Sequence, residues 1–231
     1  MPDISNKIEL YINHQNSKLW AELKYNYLFN LIIDGSAKTW KVGITQKQVE
    51  IITPNEEINI SSFTHELLHV YMDFLGLPDG TELMKGIKGD KSFKILTENN
   101  LLSSIYNFCS HTKMYPFYHS MGFSPEEFVS DRIKVNLTEL LVIRLGRNFK
   151  LTKNFAINQF IGHSISMMNN VNPNDKKRTI KYLTKFKKIE PALFEIVSNF
   201  DQDWRNSDNL NLTHYFLEFE SNLNNWLENH N

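Results

Sequence analysis

The chain of 231 residues has a single cysteine, Cys109, so it can form no internal disulfide and has no thiolates for a cysteine-rich zinc site. Any metal it binds must be held by His, Asp or Glu. It also lacks an uninterrupted apolar run of transmembrane length, and its first residues, MPDISNKIEL, lack the basic-then-apolar pattern of a signal peptide. A cytoplasmic location without a membrane partner is the resulting expectation. An excess of charge of one sign is missing too. The 25 Lys and Arg against 26 Asp and Glu leave a formal net charge of -1, which gives no reason to expect nucleic acid or an anionic membrane as the principal partner. No internal repeat or low-complexity tract is present. What remains is ordinary for a globular protein, 41% hydrophobic and 22% charged, in a chain long enough to bury a full core.

The most informative residues are His65, Glu66, Leu67, Leu68 and His69, read as HELLH. Ile60, Phe63, Leu67, Val70, Tyr71, Phe74 and Leu75 recur around them at helical spacing, Ser61 or Ser62 is the expected N-terminal cap, and Gly76 and Pro78 stop the helix. On a helix, positions i and i+4 share a face, so both imidazoles can grip one metal ion while Glu66 reaches a water bound to it. Leu67 and Leu68 are expected to face the interior and hold those imidazoles rigidly. The alternative is a buried helix with two incidental histidines and an ion-paired glutamate, which leaves two polar side chains a turn apart beside an acid to be explained.

Around this helix the sequence predicts an α+β front and a helical back. A loose helical pattern covers residues 8–24 with an interruption near 13–17. Short β-rich runs at 27–33, 40–45 and 49–53, separated by turn residues such as Asp34 and Gly35, predict a small, mostly antiparallel sheet. Residues 76–94 are polar and rich in Gly, Lys and Asp, the composition of a long lid-like connection. Helices are then expected over 95–112, 125–145, 154–169, 175–188, 191–204 and 212–229. The expected domains are a metal-binding catalytic domain over 1–148 and a helical extension over 149–231.

A sheet, then a helix bearing HExxH, then a more helical lower part resembles the zincin metallopeptidases, over about residues 27–123. The resemblance implies a twisted sheet above the active-site helix, with His65 and His69 as zinc ligands and Glu66 as general base. It also implies a peptide or protein substrate. The metzincin extension HExxHxxGxxH is absent, because Asp73 and Phe74 follow Met72 where a glycine and its spacing are needed. A catalytic zinc takes three protein ligands and keeps one open position, so the third lies downstream. His111, near the end of a predicted helix after the lid-like connection, is the leading candidate. HELLH, a helix ending in a histidine, an aromatic-Pro segment and the Gly-Phe turn at Gly122 are together similar to bacterial zincin-like proteins. Glu98, His119, Asp131 and the pair Glu126 and Glu127 compete, although the last two also suit an ordinary first turn after the cap Ser124.

Supporting roles are open to several residues. Asn107, one turn before His111, is placed to orient it or touch the metal, and Asp73, one turn after His69, to fix an imidazole tautomer. Tyr115, Tyr118 and His119 are potential oxyanion donors, or simply packing. His163 is a remote candidate to approach the metal from the back half of the fold but reads better as a core histidine bonded to a backbone carbonyl, and Cys109 as a small buried hydrophobe rather than a nucleophile. Lys176, Lys177, Arg178, Lys181, Lys185, Lys187 and Lys188 crowd one helix whose apolar side is Ile180, Leu183 and Phe186. Such lysines are more often a solvated face than a docking surface. Two functions follow as expectations: a zinc-dependent peptidase, or a non-enzymatic zinc-binding protein whose helical half is an interaction module. Glu66 favours the first, since a structural site needs no general base, and a fourth protein ligand would favour the second.

Overall fold

The computed structural model describes residues 5–78, 80–130, 139–149 and 153–230. The opening helical pattern resolves into α1 (Ser5–Ile8), a 3₁₀ turn at Glu9–Tyr11 and α2 (Ser17–Leu23). The interruption has a local cause. Asn13 Oδ1 accepts from the backbone of Gln15 (2.9 Å) and of Asn16 (3.3 Å), an Asx turn that competes with helix.

Strands β1 (Leu28–Ile33), β2 (Lys41–Thr45) and β3 (Gln48–Thr53) form one sheet in the order β1-β3-β2. β2 and β3 are an antiparallel hairpin closed at Gln46 and Lys47, with Gln46 at φ 57. β1, however, pairs with β3 in parallel, Leu28 opposite Gln48 and Ile33 opposite Thr53. The sheet is therefore mixed rather than mostly antiparallel. Parallel neighbours need a crossover of about a dozen residues, and the segment from Asp34 to Lys47, with β2 inside it, supplies one.

Helix α3 (Ile60–Phe74) packs against β2 and β3. Its cap is Asn59, whose side chain accepts from the Ser62 backbone at 3.0 Å, so Ser61 and Ser62 already lie within the helix. Leu67 and Leu68 are fully buried, and the helix ends at Gly76, whose φ of 86 suits a residue without Cβ.

The expected lid-like connection is largely helical. It contains α4 (Gly80–Gly86) and the start of α5 (Asp90–Thr97), short helices anchored by the buried Leu83, Ile95 and Leu96. A 3₁₀ turn at Glu98–Asn100, with Asn99 and Asn100 at positive φ, then separates α5 from α6 (Leu101–Ser120). The expected helix over 95–112 is thus divided near its start and runs further than its pattern suggests. α7 (Pro125–Ser130) and α8 (Glu139–Asn148) follow, with the intervening part of the expected 125–145 helix outside the described residues. α9 (Lys153–Met168), α10 (Lys176–Ile189), α11 (Pro191–Asn206) and α12 (Leu212–Asn229) lie close to their predicted bounds. On α10 the buried side chains are Tyr182 and Phe186, while Ile180 is 57% exposed. The apolar side is thus rotated from the expected Ile180, Leu183 and Phe186, because an aromatic ring brings more apolar area to the core than an isoleucine.

The fold is α+β with a small three-stranded sheet, and it divides into two compact units, Met1–Gly76 with Lys113–Arg132, and Leu77–Thr112 with Ile133–Asn231. The first has a core of Tyr11 stacked on Phe63 and Trp40 edge-on to Tyr11, with Leu23 of α2 and Val49 and Ile51 of β3 also buried. The second is helical and is centred on Phe160 against Phe186 and on Phe200 against Phe219. In that unit Glu220 of α12 accepts from Gly89 N (3.1 Å) and Ser92 Oγ (2.6 Å), closing the amino end of α5. A Cβ at Gly89 would lie 1.9 Å from the Asn224 amide, so a larger residue there would require that side chain to move. No described helix is long and apolar enough to cross a membrane.

Candidate metal centre

His65 and His69 fall one turn apart on α3, with ring centroids 5.2 Å apart and planes tilted by 59°. His65 is 3% exposed and Glu66 4%, while His69 keeps partial access to solvent. The His65 ring lies against Phe128 of α7 (4.8 Å between centroids) and meets the Tyr118 ring edge-on at 6.4 Å, so aromatic surface fixes its plane. Behind it, Asn16, fully buried, donates to Thr64 Oγ1 (2.9 Å) and to the Tyr11 carbonyl (2.9 Å). The residue immediately before His65 is thereby tied to the turn that interrupts the first helical pattern.

His111 sits on α6 and is 4% exposed. His65, His69 and His111 each offer one imidazole nitrogen, and these atoms all lie within 4.8 Å of one another. Zn–N bonds of about 2.0–2.1 Å set tetrahedral ligand nitrogens about 3.4 Å apart, a spacing that side-chain rotation can reach from here. Burial pushes the His69 imidazole down to about 4, so at neutral pH it is uncharged and has a lone pair to give. The donor set of imidazoles without thiolates fits a zinc ion.

The competing ligands are not in this group. Glu98 begins the 3₁₀ turn before α6, and its backbone carbonyl accepts from Asn158 Nδ2 at 2.7 Å. His119 is exposed and stacks on Tyr115. Ser124 and Glu127 form a reciprocal cap at the start of α7, Ser124 N donating to Glu127 Oε2 (2.8 Å) and Glu127 N to Ser124 Oγ (3.2 Å), and Glu126 is exposed beside it. Asp131 lies outside the described residues.

Of the supporting roles, Asp73 takes a different partner. Its Oδ2 accepts from the Tyr27 hydroxyl at 2.7 Å, and burial together with this carboxylate raises the phenol's pKa. Asn107 is exposed. Tyr118 is fully buried and packs on Phe123 and Phe128, whereas Tyr115 is half-buried. His163 stacks on Phe186, and its buried Nε2 has no hydrogen-bond partner among the described residues, so the expected bond to a carbonyl is not made through that atom. Burial lowers its pKa as well. Cys109 is buried, and its carbonyl accepts from the Trp204 indole. Sequence reasoning missed Asn16, Phe128 and Trp204. Asn16 at least stood inside the recognised helix interruption, whereas no local pattern marks the other two.

Comparison of the chain with protein-family models, with curated proteins and with solved structures found no match.

Proposed function

We propose that this protein is a zinc-dependent hydrolase acting on a peptide or protein, with His65, His69 and His111 as ligands and Glu66 as general base. The observation that carries the reading is the group of three imidazole nitrogens within 4.8 Å, two of them from a helix turn that also bears a buried carboxylate. Burying His65, Glu66 and His111 costs free energy that a merely structural helix avoids by using apolar residues. A closed structural site takes four protein ligands, and among the described residues no further His, Cys, Asp or Glu joins the three.

When bound, zinc supplies Lewis-acid polarisation of a carbonyl and a water acidified to near neutrality. The three imidazoles fix the direction of approach. Glu66 takes the proton from the attacking water on a carboxylate oxygen and returns it to the leaving amine. Phe128 and Tyr118 keep the His65 ring in one plane, which limits the reorganisation needed during turnover. The peptide bond as substrate comes from the zincin resemblance.

The test is metal content by elemental analysis, beside hydrolysis of a mixed peptide library, for wild type, His65→Ala and His111→Ala. About one zinc per chain in the wild type, lost without His65 and reduced without His111, is expected. A wild type that takes up no zinc after reconstitution would make HELLH an incidental helix. Zinc uptake without cleavage would turn the reading to a non-enzymatic metal protein.

A further inference from the structure

The turn of α6 that carries His111 is gripped from outside the helix at two points. Trp204 of α11, 1% exposed, donates its indole N–H to the Cys109 carbonyl at 2.9 Å. On the other side of His111, Thr112 Oγ1 lies 2.5 Å from Oδ1 of Asn169, which follows α9. Thr112 has one hydroxyl proton and a second acceptor, the Phe108 carbonyl at 2.9 Å, and the shorter contact is to Asn169.

Asn169 is itself held at every site. It is 5% exposed, its Nδ2 donates to the Ile165 carbonyl (3.1 Å) and to Asp201 Oδ1 (2.8 Å), and its Oδ1 accepts from Thr112 and from Arg205 Nη2 (3.3 Å). Arg205 in turn pairs with Asp201 one helical turn away at 3.1 Å. An amide with two donors and two acceptor sites in use has one orientation, and a network satisfied in this way is stiff.

A helix turns about 100° per residue, so Cys109 and Thr112 sit about 160° and 100° around the axis from His111. Both anchors therefore hold the helix on faces other than the one that presents the imidazole. Two such points stop α6 from rolling at this turn. Rolling by one residue would swing the His111 nitrogen through about 100°.

We infer that Trp204 and Asn169 are positioning residues for His111, fixing the rotation of α6 so that its imidazole is already aimed where a metal ligand is needed. The inference rests on the reading of His111 as a ligand. Outer partners of ligands commonly change metal affinity by about 10–100-fold.

The experiment is cobalt(II) titration of the full-length, metal-free protein, recording affinity and the visible absorption bands that report ligand geometry. Trp204→Phe and Asn169→Leu are each expected to weaken cobalt binding about tenfold and to alter the bands. Thr112→Val, which deletes one hydroxyl and leaves α6 intact, is expected to move both in the same direction by less, and it serves should either larger change prevent folding. Glu220→Gln, which weakens the closure of α5 in the same helical unit, is expected to lower the unfolding midpoint while keeping the wild-type bands and affinity. Wild-type bands and affinity in Trp204→Phe, Asn169→Leu and Thr112→Val alike would overturn the inference while leaving the metal reading intact. An equal change in Glu220→Gln would overturn it also, as general loosening. A wild type that binds no cobalt would overturn the metal reading, and this inference with it.

Discussion

Helices α3 and α10 have nearly equal lengths, 15 and 14 residues, and they place their polar groups in opposite ways. On α3 nine residues are buried, among them Ser62, Thr64, His65 and Glu66. On α10 seven cations face outward and only Tyr182 and Phe186 are buried. Lys181 and Lys185 share the carboxylate of Glu139 on α8, at the surface. Cations in water cost little to keep, so their number on α10 says little about purpose. A buried imidazole and carboxylate on α3 cost several kcal/mol unless they are used or partnered, and there the polar residues do carry information.

The contrast breaks most sharply at Glu66. Glu66→Gln is expected to keep zinc and to lose hydrolysis by about 10²–10⁴-fold, read as kcat on any peptide the wild type cleaves. Cleavage at the wild-type rate would remove the general base from the scheme. Next comes the apolar back of the same helix, where Leu67→Ala should lower unfolding free energy by about 2–5 kcal/mol in urea denaturation, since Leu67 is fully buried.

Acid provides the third test. The folded His69 imidazole titrates near 4 against 6.5 when unfolded, so the unfolded chain binds more protons between these values. Stability of the metal-free protein is therefore whole above about pH 6.5 and falls as pH drops toward 4, by at most about 3 kcal/mol from this residue. His163, shifted in the same direction, adds to the slope. Flat urea midpoints between pH 7 and 4.5 would contradict the burial of these rings.

Asn59→Ala removes the α3 cap and should cost about 1 kcal/mol. The smallest effect belongs to α10. Glu139→Gln should leave the unfolding midpoint within error, and a fall as large as that of Asn59→Ala would mean that the basic face does structural work after all.

Much of α3 was legible because its signals are local. The i, i+4 histidines, the apolar periodicity and Gly76 all lie within one short window. The cap was misplaced by two or three residues, because serines and Asn59 are both good caps and only geometry shows which accepts from a free backbone N–H. The strands were visible as β-rich runs, but the parallel pairing of β1 was not, since alternation says nothing about which neighbour a strand chooses. α4 was missed because its one buried side chain, Leu83, sets no period. At the candidate site, the grouping of His111 with the motif and the grips of Asn169 and Trp204 join residues far apart in sequence. Separations of 57 and 95 residues leave no mark in any window.

The mixed sheet also bears on the order of assembly. β2 and β3 meet across a two-residue turn and can close in microseconds, whereas every β1 residue pairs with one twenty positions later, Leu28 with Gln48 through Ile33 with Thr53. The hairpin is therefore expected to form before β1 docks. Until it does, one edge of β3 is an open template for the β-strand of another chain, and β1, with Leu28 72% exposed even after docking, is the stretch most apt to fill that edge in the wrong molecule. Refolding at high protein concentration should therefore lose yield through this edge before any helix of the second unit is at risk.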